Sequence, residues 1–147
     1  MRHLSPFRIA AYLLSAIFLG HTGGGMLAQR SLGTASDGVV TAMKAVHFNF
    51  NGADATWYGF WFGFGLTISV YVLFSVIVAW QLDKVAPERW PSFSAIAWTF
   101  AASQLANAIL SWRYFFLGPA VLSLLAAALI AVGAYQKGRR LRRLQHA

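Results

Sequence analysis

The sequence contains no cysteine, which excludes a disulfide, a thiolate nucleophile and a cysteine-ligated metal site. Charged residues are scarce: they form 11% of the chain, against about 25% in an average soluble domain. There is also no HExxH motif and no paired-carboxylate or histidine–cysteine pattern. We therefore assign no catalytic residue and favour a protein without enzymatic activity.

Long apolar runs are what the sequence has instead. The clearest is Trp57–Leu82, whose 26 residues include no charge. As a helix this run would be roughly 39 Å long, whereas the hydrocarbon core of a bilayer is about 30 Å thick. Soluble helices rarely run this long while apolar on every side, so the stretch is predicted to span a membrane.

Three further apolar runs complete the prediction of an all-α membrane protein with a single domain. Residues 9–20 also resemble the apolar core of a signal peptide, so cleavage after Ala28 is the alternative to a retained first span. The predicted four-transmembrane-helix bundle has spans at 9–27, 57–82, 92–112 and 116–135, an outer loop at 28–56 and a basic cytoplasmic tail at 136–147.

The outer loop is predicted to contain one short amphipathic helix, from Asp37 to about Phe48. Ser36 or Asp37 can supply the N-cap oxygen, and Asn51-Gly52 ends the segment with turn chemistry. The helix is expected to lie against the bilayer or to cap the bundle. Its apolar positions recur at helical spacing, namely Val39, Met43, Val46 and Phe50.

The net charge of +8 arises from basic residues at the chain ends and in one loop, which does not favour a nucleic-acid surface. With four spans and an inside N-terminus, nine lysines and arginines lie inside and three lie outside. This excess follows the positive-inside pattern. We predict a bacterial inner-membrane protein with both termini cytoplasmic, with membrane lipids as partners and with no nucleic-acid partner.

Histidines near the outer ends of these elements are the first candidates for a site. His21 lies near the end of the first span, where an ionisable side chain should face the bundle or a wet cavity. His47 is in the loop and could approach His21, and the two imidazoles could hold a haem, or a metal together with Asp54. The alternative is ordinary hydrogen bonding. His3 and His146 are expected to be solvated, and the cofactor stays unknown.

Polar and aromatic residues on other elements extend the candidate site. Gln104 and Asn107 share one face of the third helix and provide either a pocket for a head group or interhelical hydrogen bonds. Arg113 could meet Asp54 or an anionic lipid phosphate, and the alternative is that it snorkels to the head groups. The complete ligand-binding set, expected to open toward the outer leaflet, is His21, His47, Asp54, Trp57, Gln104, Asn107 and Arg113.

Small residues on the second span predict a helix-packing face. Gly59 and Gly63 lie four residues apart, and Thr67 follows one turn later. Small side chains on one stripe let a neighbouring helix approach closely. The neighbour would be another helix of the chain, a membrane-protein partner or a second copy.

The chain resembles a family of small uncharacterised bacterial membrane proteins with four predicted spans, and the likeness covers nearly its whole length. The resemblance implies topology and assigns no activity, cofactor or catalytic residue. The matching features are His21-Thr22, the loop residues Met43, Phe48 and Gly52, Trp57-x-x-Phe60-x-x-Gly63-Phe64-Gly65-Leu66-x-x-Ser69, Trp80-Gln81-Leu82 and Arg113-Tyr114-Phe115-Phe116-x-x-Pro119.

Three functions are compatible with these features. The first is binding of a lipid-like or hydrophobic small molecule at the outer face of a helical bundle. The second is an accessory or structural subunit of a membrane complex. The third is a membrane redox or metal- or haem-binding protein that uses His21 and His47.

Overall fold

A computed structural model describes residues 4–28 and 30–145, so His3 and His146 lie outside the described residues. Over these described residues the fold is helical, which confirms the predicted all-α class, except for one small strand pair. The helices are α1 (Pro6–Leu19), α2 (Thr34–Ala45), α3 (Trp57–Lys84), α4 (Trp90–Tyr114) and α5 (Leu117–Gln145), with a π-helix at Gly20–Leu27, a 3-10 turn at Pro87–Arg89 and strands β1 (His47–Phe50) and β2 (Ala53–Thr56).

In the described part of the chain, four helical stretches are long and apolar enough to cross a membrane. They are Pro6–Leu27, Trp57–Lys84, Pro87–Tyr114 and Leu117–Leu144. The protein is therefore a multi-pass membrane protein, and the predicted membrane class is confirmed.

The first of these stretches changes from an α-helix to a π-helix partway along its length. After α1 the chain continues as a π-helix, in which the backbone N–H of Ala28 bonds the carbonyl oxygen of Gly23 at 3.0 Å. Three consecutive glycines, Gly23 to Gly25, lie inside this segment. A π-helix this long is rare, because such turns usually occur as single bulges, frequently at functional sites.

The chain divides into two compact units. The helical unit comprises Met1–Ile17 and Val72–Ala147, and the hairpin unit comprises Phe18–Tyr71. The helical unit contains parts of all four long apolar helices, and its core is built largely from alanine. Small side chains allow helix backbones to approach closely where lipid supplies no hydrophobic driving force between them.

A glycine provides the closest approach in the helical unit. A Cβ added to Gly133 on α5 would lie 2.8 Å from the Phe7 ring of α1. The Phe7 side chain is only 1% exposed, so it has little room to move away. Gly133 is therefore required for this packing.

One end of the helical unit is closed by charged side chains. The Lys137 ammonium on α5 donates to the carbonyl oxygens of Leu82, Asp83 and Val85, at 2.8, 2.8 and 2.6 Å. These carbonyls belong to the C-terminal end of α3 or follow it, where helix carbonyls lack intrahelical partners. The Asp83 carboxylate accepts from Ser5 and from Arg8, the latter at 2.6 Å.

The loop helix α2 begins and ends about three residues earlier than predicted. Gly33 is its N-cap residue, at φ 104°, and Asp37 lies in the first turn, where its carboxylate accepts a hydrogen bond from Ser31. The predicted cap at Ser36 or Asp37 was wrong. The helix ends at Ala45 because the following residues form a strand, so Phe50 belongs to β1 and not to a helical face.

The strand pair was not predicted. β1 and β2 are antiparallel and are joined by Asn51 and Gly52, whose φ angles are 54° and 90°. Positive φ at both turn residues is the requirement of a type I′ hairpin turn, and Asn-Gly is a favoured pair for it. With this turn, the loop before α3 consists of a helix followed by a hairpin.

Candidate functional site

The hairpin separates polar from apolar side chains. In its register His47 faces Thr56 and Asn49 faces Asp54, while Phe48 faces Ala55 and Phe50 faces Ala53. Residues paired across two strands share a face, and neighbours along a strand alternate. One face is therefore polar throughout and the other is apolar throughout.

The apolar face continues into an aromatic cluster at the start of α3. The Phe48 ring centroid lies 4.8 Å from that of Trp57 and 5.7 Å from that of Phe60, and the Phe50 and Phe60 rings meet edge to face at 4.9 Å. Phe64 extends the cluster along the helix, 5.9 Å from Phe60. We call these five residues the aromatic cluster.

Much of the aromatic cluster is open to its surroundings. Phe50, Trp57 and Phe64 are each at least half exposed. Of these three, Trp57 has the amphipathic kind of ring that is enriched at membrane–water interfaces, whereas Phe50 and Phe64 are wholly apolar. The aromatic cluster is therefore an accessible apolar surface that adjoins the polar side chains of the hairpin.

A hydrogen-bonded histidine–aspartate pair joins the two strands on the polar face. The His47 Nδ1 lies 2.9 Å from Asp54 Oδ2 and 3.0 Å from Oδ1. Because a carboxylate accepts, Nδ1 carries the hydrogen and Nε2 is left for another partner. Both side chains are more than half exposed, so the pair is accessible but adds little to stability.

His21 lies in the π-helical segment and contacts α3. Its Nε2 is 2.9 Å from the carbonyl oxygen of Gly65. A carbonyl only accepts, so Nε2 donates and Nδ1 is the remaining nitrogen. Next to it the Thr22 hydroxyl donates to Ser69 at 2.8 Å, and the Ser69 hydroxyl donates to the same Gly65 carbonyl at 3.3 Å.

The two histidines thus have separate partners, the backbone of α3 for His21 and Asp54 for His47. Among residues 4–28 and 30–145, no group of three or more histidine, aspartate or glutamate side chains could hold a metal ion. The ordinary interpretation, hydrogen bonding, accounts for both imidazoles as they stand.

The remaining candidates belong to the helical unit and form local contacts. The Gln104 amide donates to Ser75 on α3 at 3.5 Å, and the Asn107 amide donates to Ser123 on α5 at 3.2 Å. The buried Gln104 Oε1 has no hydrogen-bond partner within the described part of the chain. The Arg113 guanidinium lies over the ring of its neighbour Tyr114.

The glycine face of α3 is only partly used within the chain. Gly59 donates its N–H to the Thr56 hydroxyl, which caps the helix, and Thr67 donates to the Gly63 carbonyl. A Cβ on Gly63 would meet nothing within 4 Å in the described structure. The close approach falls instead at Gly65, where an added Cβ would overlap the Met26 side chain.

Several of these features were missed from the sequence. The Asn-Gly pair between two four-residue segments was the available signal for the hairpin. Ser69 and Gly65 lay within the quoted motif without an assigned role. No local signal marks Lys137 as the residue that closes the end of α3.

The fold and these contacts define a four-span membrane protein with one accessible amphipathic hairpin. Comparison of the chain with protein-family profiles, with curated proteins and with solved structures gives no match. The functional argument therefore depends on the geometry of the chain alone.

Proposed function

We propose that the protein is a non-enzymatic protein of a bacterial inner membrane that binds a lipid-like molecule at its hairpin unit. Both termini are assigned to the cytoplasm, because nine basic residues then lie inside and three outside. The hairpin accordingly lies at the outer interface. The sequence resemblance to small four-span bacterial membrane proteins supports the same topology.

The observation that carries the proposal is the division of the hairpin into a polar and an aromatic face. An amphiphile aligned with the membrane normal, beside the hairpin, would place its apolar chain against Phe48, Phe50 and Phe60. Its head group would extend past the edge of the hairpin to reach His47 and Asp54 on the opposite, polar face. Ligand sites commonly combine an apolar wall with a few placed polar groups.

The polar face suits a head group that both donates and accepts. The Asn49 amide nitrogen and the Thr56 hydroxyl hydrogen supply donors, and His47 Nε2 is a further polar position, while Asp54 is held by His47. The Asn49 and Thr56 oxygens already accept from the backbone N–H groups of Gly52 and Gly59. The aromatic rings supply large contact areas with a few rotatable bonds, which limits the entropy lost on binding. Lipids and other hydrophobic molecules with a small polar end meet these requirements.

Native mass spectrometry of the protein after gentle extraction tests this function. The wild type should retain an adduct of constant mass, and the Phe48→Ala/Phe60→Ala double variant should lose it. Phe74→Ala is the matched control, because Phe74 is an exposed phenylalanine of α3 outside the cluster. Thermal unfolding of each variant shows whether the fold is retained. Finding neither a ligand nor a partner on the wild type would contradict the proposal.

A second candidate, an accessory subunit of a membrane complex, is favoured by the unfilled space beside Gly63 on α3. A partner helix would then lie against Gly63 and Thr67. Copurification tests this candidate: a stoichiometric partner lost in Gly63→Leu supports it, and a monodisperse single chain contradicts it.

A further inference from the structure

We propose that the C-terminal end of α5 binds the phosphate group of an anionic membrane lipid. The site is a basic face made by Gln136, Arg139, Arg140 and Arg143, whose exposed side chains border an open surface groove along one helix. It belongs to the helical unit and depends on neither the hairpin nor its ligand.

The spacing of these residues places them together. Positions 136, 139, 140 and 143 follow the i, i+3, i+4, i+7 pattern that forms one stripe of an α-helix. The segment was predicted as a tail, but α5 continues through it to Gln145, so the arginines have a defined relative geometry. Arg142 does not border the groove: it lies about 100° around the helix from Arg143, although it is next to Arg139 at i+3 spacing.

Lys137 fixes the rotation of this end of α5. Its ammonium is held by three carbonyl oxygens that belong to or follow α3, and it lies over the rings of Phe7 and Trp90. The stripe therefore faces away from the core, and all four of its side chains are exposed. The partly buried contacts of Lys137 therefore set the outward direction of the basic face.

The arginines of the stripe have no anionic partner of their own. In the part of the chain that the structure describes, Arg139, Arg140 and Arg143 form no ion pair, and Arg139 lies only over the Tyr135 ring. The helical unit has two acidic residues, Asp83 and Glu88, and Asp83 already binds Arg8. An external anion is therefore needed to neutralise the positive charge of the stripe.

The length of α5 brings the stripe to the level of lipid head groups. Its 29 residues extend about 43 Å, and a hydrocarbon core of about 30 Å accounts for roughly the first 20 of them. The stripe begins at about that depth. The guanidinium group binds phosphate through paired N–H donors, and basic clusters next to a span recognise anionic lipids. The lipid phosphate, and not a soluble one, is accordingly the occupant.

The test measures lipid enrichment around the full-length protein in nanodiscs of phosphatidylcholine with phosphatidylglycerol. Native mass spectrometry should show phosphatidylglycerol retained by the wild type. Arg143→Gln should lower this retention about fivefold, whereas Arg142→Gln, with the same charge change, should lower it less than about twofold. Circular dichroism confirms that both variants keep the helix.

Three results would overturn the site. The first is no enrichment of phosphatidylglycerol by the wild type. The second is an equal loss of retention in the two variants, which would indicate a diffuse basic tail. The third is displacement of the lipid by millimolar inorganic phosphate, which would indicate a site for soluble phosphate. Loss of the hairpin adduct in the Phe48 and Phe60 variant should leave this enrichment unchanged, so the two proposals fail independently.

Discussion

The His21 Nε2 lies 2.9 Å from the carbonyl oxygen of Gly65 and donates a hydrogen bond to it. This contact joins the π-helical end of the first span to α3, beside the Thr22–Ser69 hydroxyl pair. It also gives His21 a defined tautomer, with the hydrogen on Nε2. His21, a candidate ligand-binding residue in the sequence analysis, therefore has a structural hydrogen-bond partner.

Replacing His21 should lower the stability of the protein. His21→Ala removes the donor to Gly65, and a hydrogen bond between membrane helices contributes about 0.6 kcal/mol, with a maximum near 1.7. Thermal unfolding in detergent measures the change. His21→Gln, which keeps a donor, should recover part of the loss, and an unchanged midpoint for His21→Ala would show that the contact contributes nothing.

Two glycine-to-alanine substitutions should have opposite outcomes. Gly133→Ala places a methyl against the fully buried Phe7 ring and should lower the unfolding free energy by about 1–3 kcal/mol. Gly63→Ala enters open space and should be neutral or slightly stabilising, because alanine favours the helix. Chemical unfolding of both variants in micelles is the measurement. A destabilised Gly63→Ala would instead indicate that a partner packs there.

Replacing Lys137 should lower the stability of the protein far more than replacing Lys84. Lys137→Met leaves the carbonyl oxygens of Leu82, Asp83 and Val85 without their donor, and hydrogen bonds to a charged group contribute about 1.5–3 kcal/mol. The exposed Lys84 provides the matched control, Lys84→Met. The thermal midpoint should fall in the first variant only. Equal midpoints would mean that water replaces the ammonium at no cost.

Gln104 should tolerate an apolar replacement better than the other polar contacts. Within the described residues its Oε1 is buried without a partner, and an unsatisfied buried polar atom costs about 1–3 kcal/mol. Gln104→Met removes this unpaired oxygen but also removes the long amide bond to Ser75, so thermal unfolding should show little net change. Marked destabilisation would show that the bond to Ser75 outweighs the unpaired oxygen.

The long helices could be predicted because their signal is local and strong. Trp57–Leu82 contains no charge, and the structure extends that helix by only two residues, to Lys84. Lipid requires every backbone group of a span to be satisfied within it, so an uncharged run of this length has few alternatives to a helix. The membrane class follows from the same reasoning.

The loop that contains α2 and the hairpin was harder to predict, because a helical pattern and a strand pattern overlap there. Val39, Met43, Val46 and Phe50 have helical spacing, which concealed the alternation of polar and apolar residues that begins at His47. Asn51-Gly52 was interpreted as the end of a helix, although it is equally the turn of a hairpin. The aromatic cluster depends on that hairpin and could not be predicted without it.

Contacts between residues far apart in the sequence could not be predicted, for a different reason. The bonds of Lys137 to the end of α3, and of His21 to Gly65, depend on how each helix is rotated about its axis. An apolar helix in lipid has no polar face that reveals this rotation. The candidate residues of the helical unit, Gln104 and Asn107, were likewise recognisable as polar while their partners were not.

A density map of the protein in lipid nanodiscs tests the central claim most directly. The account predicts elongated non-protein density along Phe48, Phe50 and Phe60, with its polar end extending past the edge of the hairpin to the His47–Asp54 pair. The same density should be absent from a map of the Phe48→Ala/Phe60→Ala variant. A well-ordered hairpin in the wild type with only averaged bilayer against the aromatic cluster would contradict the account.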